Sequence, residues 1–305
     1  MTTIRLLVTD LDNTLYDWVS FFVPSFYAMI DEAVRILGAD REQLLDEMRD
    51  VHRWYGNSEQ PFALLDAPSV HKRLPELSRA GRALKLDAAF HAFNSVRKRT
   101  LALYPGVLET LGEIRSADCA IVAHTEAPTS NAVFRIQMLG LTDYICALYA
   151  PADKGAGHPN TQRKESRPAL RVHSLGIGER KPAPQILERI LEDAGVTASE
   201  ALYVGDSLTR DIAMAKLAGT RSAFARYGRT FDAGLWEKLV RVTHWTDEDV
   251  RAEAELRREF ADVRADYDLD SFSELRDRYS FAPSPVATAA TPEVARASGY
   301  PSEFR

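Results

Sequence analysis

The sequence has little of three features that would fix its class at once: cysteine, long apolar runs and excess positive charge. Two of 305 residues are cysteines, so we expect no disulfide framework. No apolar run approaches the length of about 18 residues that a membrane helix needs, and residues 1–9 lack a secretory pattern. With 38 basic and 44 acidic side chains, the net charge is −6, which disfavours a nucleic-acid binder. We expect a cytoplasmic protein without membrane or nucleic-acid partners.

The composition is that of an ordinary globular protein. Apolar residues make up 45% of the chain and charged residues 27%, enough to form a core of normal size. A length of 305 residues gives room for two domains, or for one large domain with an insertion.

Buried strands alternate with amphipathic helices along the chain. Apolar runs rich in branched side chains predict strands at residues 4–8, 119–123, 144–150, 201–204 and 221–225. Apolar residues at helical spacing predict helices that include residues 107–114 and 186–194. This alternation predicts an α/β fold with a doubly wound parallel sheet, covered by helices on both faces.

Residues 17–103 interrupt this alternation, because they contain no strand pattern. Ser20 and Asp40 can each cap a helix, and a third helical pattern runs from Asp87 to Leu101. We expect a separate helical bundle here, inserted after the first strand.

Three further segments stand out by composition. Residues 151–180 are rich in Gly, Pro and basic side chains and predict a long loop. Residues 247–278 are strongly charged and helical in pattern. Residues 281–305 have little to bury, which predicts a disordered tail.

Two carboxylates follow the first predicted strand. Asp10 and Asp12, two residues apart, can project to the same side at the carboxyl end of the strand, where open α/β sheets bind ligands. Two such close carboxylates repel unless a cation lies between them or one takes a proton. The alternative is an ordinary turn, which Asn13 also suits.

A second acidic cluster follows the strand at 201–204. Gly205 permits a close turn, Ser207 can cap the next helix, and Asp206 is left at the sheet edge. Asp10, Asp12 and Asp206 together could supply the hard oxygen ligands of a Mg²⁺ site. The alternative is that these residues only cap the helix.

Two weaker signals lie between the clusters. Thr125 follows the strand at 119–123, where its hydroxyl could donate to a phosphoryl oxygen. Lys181 stands at a helix start, which opposes the helix dipole unless the ammonium serves an anion. Taken alone, a Thr at a strand end indicates almost nothing, and Lys181 is more simply a solvated surface charge.

These four segments, in this order, resemble the four motifs of the haloacid dehalogenase-like (HAD) hydrolase superfamily. The segments are Asp10 to Asp17, Thr125, Lys181 with Pro182, and Gly205 to Asp211. The resemblance implies a Rossmann-like core at residues 1–16 and 104–280. It also implies that residues 17–103 are the mobile helical cap (C1) of subclass I enzymes.

The resemblance also implies a mechanism and a role for each site residue. Asp10 would attack phosphorus and form an aspartyl-phosphate, and Asp12 would act as general acid and base. Thr125 and Lys181 would hold the phosphoryl oxygens. Mg²⁺ would be bound by Asp10, the backbone carbonyl of Asp12 and Asp206, with support from Thr14, Ser207 and Asp211.

Within the family, Asp12 favours a phosphatase over a dehalogenase. A halide leaves without a proton, whereas the alkoxide leaving group of a phosphate ester needs one. The expected substrate is therefore a small phosphorylated metabolite, such as a nucleotide or a sugar phosphate. Two alternatives stay open: a phosphomutase with the same carboxylate pair, and a non-catalytic binding or regulatory protein on the same fold.

Four side chains of the insertion are candidates for substrate contact, although surface or packing roles are the simpler interpretation. They are Arg53, Tyr55, His71 and Lys72.

Overall fold

A seven-stranded parallel sheet forms the centre of the protein. The computed structural model describes residues 2–60, 62–153, 170–176 and 178–285. The strands lie in the order β5-β4-β3-β2-β6-β7-β8, and β1 and β9 form a separate parallel pair. Their bounds are β1 Thr2–Ile4, β2 Leu6–Thr9, β3 Ala120–His124, β4 Ala147–Pro151, β5 Arg171–Leu175, β6 Ala201–Gly205, β7 Arg221–Ala225, β8 Tyr267–Leu269 and β9 Tyr279–Phe281.

Helices cover both faces of this sheet, as the sequence predicts. Helices of the α/β unit are α6 Val107–Ser116, α7 Thr129–Met138, α8 Pro184–Ala194, α9 Ala213–Leu217, α10 Ala233–Val242, α11 Asp247–Glu259 and α12 Leu275–Arg278. Side chains of β2 alternate between the faces: Leu6 and Val8 belong to the apolar cluster that includes α8, and Leu7 to the opposite one. The predicted doubly wound α/β fold is confirmed.

The segment between β2 and α6 is helical, as expected. It contains α1 Trp18–Leu37, α2 Arg41–Tyr55, α3 Pro68–Arg73, α4 Arg79–Lys85 and α5 Asp87–Thr100. Asp40 caps α2, as predicted, but α1 begins earlier than expected: Asp17 is its cap and accepts from the N–H of Ser20 at 2.9 Å. The chain returns to the sheet beside its exit, where the Tyr104 N–H donates to the Leu15 carbonyl at 2.9 Å.

Three predictions about the outer segments need correction. The supposed loop at 151–180 contains the edge strand β5, and the part of it at 154–169 lies outside the described residues. The charged stretch at 247–278 forms α11 but then the edge strand β8. Of the predicted tail at 281–305, Phe281 instead pairs with Ile4 in a strand, and residues 286–305 lie outside the described part.

Helix α10 docks the sheet domain onto the inserted helices. The Tyr27 hydroxyl donates to the Lys238 carbonyl at 3.0 Å, and His52 Nδ1 donates to the Val242 carbonyl at 2.6 Å. Arg241 adds an ion pair with Asp46 at 2.8 Å. Among the helices described above, none has the length and apolar character needed to cross a membrane.

Candidate active site

The site lies where the strand order reverses. Strand β2 pairs with β3 on one side and with β6 on the other, so the chain winds outward in both directions from this point. A crevice at the carboxyl ends of the strands is expected there. Asp10 follows β2 and Asp206 follows β6, so both carboxylates reach the same crevice.

The turn after β2 is held in one conformation. The Asp10 N–H donates to the Val204 carbonyl at 2.9 Å, which ties the turn to β6. Asn13 adopts a left-handed backbone with φ 58°, as Asn tolerates, and its side chain accepts from the Trp18 N–H at 3.1 Å. The turn that Asn13 suits is present, and it fixes where Asp10 and Asp12 stand.

Three carboxylates converge at this edge. Asp10, Asp206 and Asp211 each offer one oxygen, and these oxygens all lie within 4.8 Å of one another. Burial raises the pKa of Asp10 well above its usual range, with Lys181 opposing and Asp211 adding to the rise. Burial, followed by the neighbouring Asp211, raises the pKa of Asp206 to about 7. Burial and mutual repulsion therefore disfavour the ionised forms of Asp10 and Asp206 when no cation is bound.

This cluster fits a small divalent cation. Its donors are carboxylate oxygens, the ligands that Mg²⁺ prefers, and a cation would offset the burial and the repulsion that raise the pKa values of Asp10 and Asp206. Asp211 is a member of the cluster. The sequence predicts only a supporting role for this residue. The backbone carbonyl of Asp12 stays a predicted ligand.

Lys181 reaches into the same cluster. Its ammonium lies 2.5 Å from Asp10 Oδ1 and 2.7 Å from Asp211 Oδ1, and its side chain is almost fully buried. Burial alone would lower the pKa of Lys181, but the two carboxylates hold it well above its usual value. The amine is therefore charged throughout the neutral range, as a group that holds an anion must be.

The predicted supporting residues lie around this centre. The Thr14 hydroxyl donates to Asp10 Oδ2 at 3.3 Å, and the Ser207 N–H donates to Asp211 Oδ2 at 3.0 Å. Ser207 does not cap the next helix through its side chain, because its hydroxyl pairs with that of Thr209 at 3.3 Å. Thr125 lies in the cavity wall, where its hydroxyl accepts from the Ala127 N–H at 3.1 Å.

Asp12 stands apart from the three-carboxylate cluster. Arg135 of α7 donates to both oxygens of Asp12, at 2.8 and 3.1 Å, and also to Glu59 of the inserted segment. Burial raises the pKa of Asp12, while Arg135 lowers it and Glu59 raises it further. Neither Arg135 nor Glu59 was predicted from the sequence. The sequence signal available for Arg135 was its place beside the buried positions Ala132 and Ile136 of an amphipathic helix.

The crevice encloses a cavity of about 280 Å³. The predicted catalytic and metal-binding residues form its floor. Its outer wall comes from two segments that contain none of the site residues predicted from the sequence. These outer residues are Asn57, Ser58 and Glu59 after α2, and Thr243, His244 and Trp245 between α10 and α11. Ser58 and His244 join the two segments, with Oγ and Nδ1 3.0 Å apart.

The four predicted substrate contacts of the insertion do not line this cavity. Arg53 is exposed and faces the Trp245 carbonyl at 3.5 Å, and the Tyr55 hydroxyl donates to Asp66 at 2.8 Å. His71 and Lys72 are exposed on α3, where His71 contacts Arg82.

Comparisons with known proteins show the family to which the chain belongs. The family model of haloacid dehalogenase-like hydrolases matches residues 4–219, and a HAD-hydrolase-like model matches residues 179–274. A phosphoglycolate phosphatase of Vibrio parahaemolyticus is 30% identical over 233 residues, which cover 74% of this chain and 85% of that protein. A ribulose-1,5-bisphosphate 5-phosphatase of Halopiger xanaduensis is 26% identical over 280 residues, covering 89% of this chain and 97% of that protein.

Solved structures share the fold. A 2-haloacid dehalogenase from Pseudomonas syringae pv. tomato superposes with a TM-score of 0.52 at 21% identity, covering 90% of this chain and 97% of the other. A HAD phosphatase from Thermococcus onnurineus gives a TM-score of 0.50 at 19% identity, with the same coverage. The chain belongs to the haloacid dehalogenase-like hydrolase family, and within it the chain is a phosphoric monoester hydrolase.

Proposed function

We propose that the protein is a Mg²⁺-dependent phosphatase that hydrolyses a small phosphomonoester through an aspartyl-phosphate on Asp10. One observation carries the proposal: the two carboxylates of the first motif have separate environments. Asp10 lies beside Lys181 in the acidic cluster, and Asp12 lies beside Arg135. Such a division suits one carboxylate that attacks phosphorus and another that moves protons.

In the first step, a carboxylate oxygen of Asp10 attacks phosphorus in line with the ester oxygen. The bond from phosphorus to the ester oxygen breaks, and the leaving oxygen takes a proton from Asp12. The raised pKa of Asp12 keeps a larger fraction of this group protonated and able to donate.

In the second step, water attacks the aspartyl-phosphate and gives its proton to Asp12. The bond between phosphorus and Asp10 breaks, and inorganic phosphate leaves. Lys181 and Thr125 hold the phosphoryl oxygens in both steps, so the main work is positioning and charge stabilisation. Mg²⁺, held by Asp10, Asp206 and Asp211, would neutralise charge on the phosphoryl group.

The size of the cavity bears on the substrate. A volume of about 280 Å³ is at the lower end for ligand sites and has room for a compact phosphate ester. Because relatives are named as phosphatases of phosphoglycolate and of ribulose 1,5-bisphosphate, 2-phosphoglycolate and small sugar phosphates are our first candidates.

The test is phosphate release from a panel with Mg²⁺ and with EDTA. The panel contains 2-phosphoglycolate, sugar mono- and bisphosphates, nucleotides and p-nitrophenyl phosphate. We expect Mg²⁺-dependent turnover, fastest on a small alkyl phosphate. Folded protein without turnover on any member would contradict the proposal, and transfer between sugar hydroxyls without phosphate release would indicate a mutase.

A further inference from the structure

A buried arginine links the inserted helical segment to the predicted general acid. The side chain of Arg135 is 3% exposed, and its guanidinium lies between Asp12 and Glu59. One terminal nitrogen, Nη1, serves Asp12, and the other, Nη2, serves Glu59. Glu59 lies between α2 and α3, within the insertion. Its carboxylate therefore completes the surroundings of Asp12, which follows β2.

The guanidinium is also fixed from other sides. Its carbon lies 5.0 Å from the ring centre of Phe21 and 5.9 Å from that of Tyr16. One turn earlier in α7, Asn131 donates to the backbone carbonyl of Glu59 at 3.0 Å. Helix α7 therefore holds Glu59 by both its backbone and its side chain.

The planar guanidinium makes the position of Asp12 depend on Glu59. A guanidinium presents its donors in a rigid fork, so an anion on one nitrogen fixes the plane that the other nitrogen offers. In this buried position, loss of either carboxylate leaves the guanidinium free to turn toward the remaining carboxylate. The carboxylate of Asp12 would then lose its defined orientation.

We infer that Glu59 and Arg135 are positioning residues for Asp12, and that docking of Glu59 on α7 aims the acid at the leaving oxygen. This inference rests on the proposed function. Proton donation to the leaving oxygen requires accurate placement, and a displacement of about 1 Å can cost about a hundredfold in rate. The insertion thereby contributes to proton transfer as well as to the wall of the cavity.

The leaving group separates positioning from a merely structural role. An alkoxide needs a proton to leave, whereas p-nitrophenolate leaves without one. The rate of leaving-group release in the first turnover is measured by rapid mixing with Mg²⁺, for p-nitrophenyl phosphate and for the alkyl phosphate that the wild type hydrolyses fastest. The first turnover is used because the later attack of water on the aspartyl-phosphate needs Asp12 with either substrate. We expect Glu59→Gln to lower this first-turnover rate about tenfold to a hundredfold on the alkyl phosphate, and by less than about threefold on the aryl phosphate.

Four further variants complete the design. Asp12→Asn should show the same selectivity for the alkyl phosphate, and Glu59→Gln added to it should change the alkyl rate no further. Arg135→Lys keeps the charge but loses the fork, so it should resemble Glu59→Gln. Asp66→Asn is the matched control, because Asp66 pairs with Arg79 inside the insertion and does not line the cavity.

The outcomes discriminate between the two proposals. If Asp12→Asn is selective but folded Glu59→Gln slows both substrates equally or neither, the inference is wrong and the proposed function stands. If Asp12→Asn is not selective, Asp12 is not the acid and the inference falls with that role. A wild type without turnover overturns the proposed function and this inference together.

Discussion

Gly228 packs closely against the turn after β2. A Cβ added there would lie 1.7 Å from the Asn13 carbonyl oxygen and 3.2 Å from Asp206 Cβ. A backbone oxygen in a tied turn cannot move aside as a flexible side chain can. A larger residue at 228 therefore requires a shift of the turn that carries Asp10 and Asp12, or of the segment around residue 228.

We predict that Gly228→Ala lowers kcat by about a hundredfold or more, because it shifts the turn by a fraction of an ångström to an ångström. Steady-state kinetics and a thermal melt measure the effect. Gly112→Ala is the control: its added methyl meets only Tyr144 Cε1 at 3.7 Å in a helix, so activity should be unchanged. A fully active Gly228→Ala enzyme would contradict this account of the turn.

At the scale of residues, the sequence predicts what depends on strand ends and misses what depends on tertiary contact. Asp10, Asp206 and Thr125 follow apolar strands, and parallel strands end at one edge, so their meeting is predictable. Gly228 and Arg135 act through segments distant in sequence. The sequence around each of these two residues does not indicate which residue it contacts.

Helix α10 is the element that binds the inserted helices to the sheet domain. His52 is buried in α2, and its Nδ1 donates to the carbonyl of Val242, the last residue of α10. Burial lowers the pKa of His52 to about 4, so the ring is neutral near neutral pH. This contact joins the two segments of the outer cavity wall close to Ser58 and His244.

We predict that His52→Ala lowers the free energy of unfolding by about 2–3 kcal/mol, since it removes a buried ring and leaves the Val242 carbonyl without this donor. Urea denaturation measures the change, with His91→Ala as the exposed control. A loss no larger than that of His91→Ala would contradict the role given to α10.

The lowered pKa of His52 predicts that the free energy of unfolding depends on pH. The folded pKa is below the unfolded value of about 6.5, so the unfolded chain binds more protons between about pH 4 and 6.5. The contribution of His52 to stability is therefore full above about pH 6.5 and decreases as the pH falls toward 4. In His52→Ala this part of the acid dependence should be absent.

At the scale of elements, the central strands are predictable and the edge strands are not. Strands β2, β3 and β6 are buried on both faces and consist of continuous apolar runs. Strand β5 has exposed and half-exposed positions, and β8 is three residues long with two exposed. Their pairing with a neighbour, and not their own composition, makes them strands.

For the molecule as a whole, the acidic cluster links metal binding, protonation and stability. The folded pKa of Asp206, about 7, is above its ordinary value, so the metal-free folded state favours the protonated acid. The stability that this group contributes is present below about pH 4 and is lost as the pH rises through about 7. A bound cation competes with that proton and stabilises the folded state only where the carboxylate is free.

We predict that saturating Mg²⁺ raises Tm by several degrees at about pH 8 and by much less at about pH 5. Differential scanning fluorimetry with Mg²⁺ and with EDTA measures this. Asp206→Asn should lose most of the Mg²⁺ effect, whereas Asp50→Asn, an exposed carboxylate outside the site, should keep it. An equal shift at both pH values would argue against this cluster as the metal site.

The most direct test of the account is to trap the phosphorylated enzyme. Protein quenched in acid during turnover with Mg²⁺ is digested and its peptides are weighed by mass spectrometry, with Asp10→Asn treated in parallel. We predict a hydroxylamine-sensitive phosphoryl group on Asp10 that is absent from the variant. A phosphoryl group on another residue, or full turnover by folded Asp10→Asn, would contradict the central claim that Asp10 is the nucleophile.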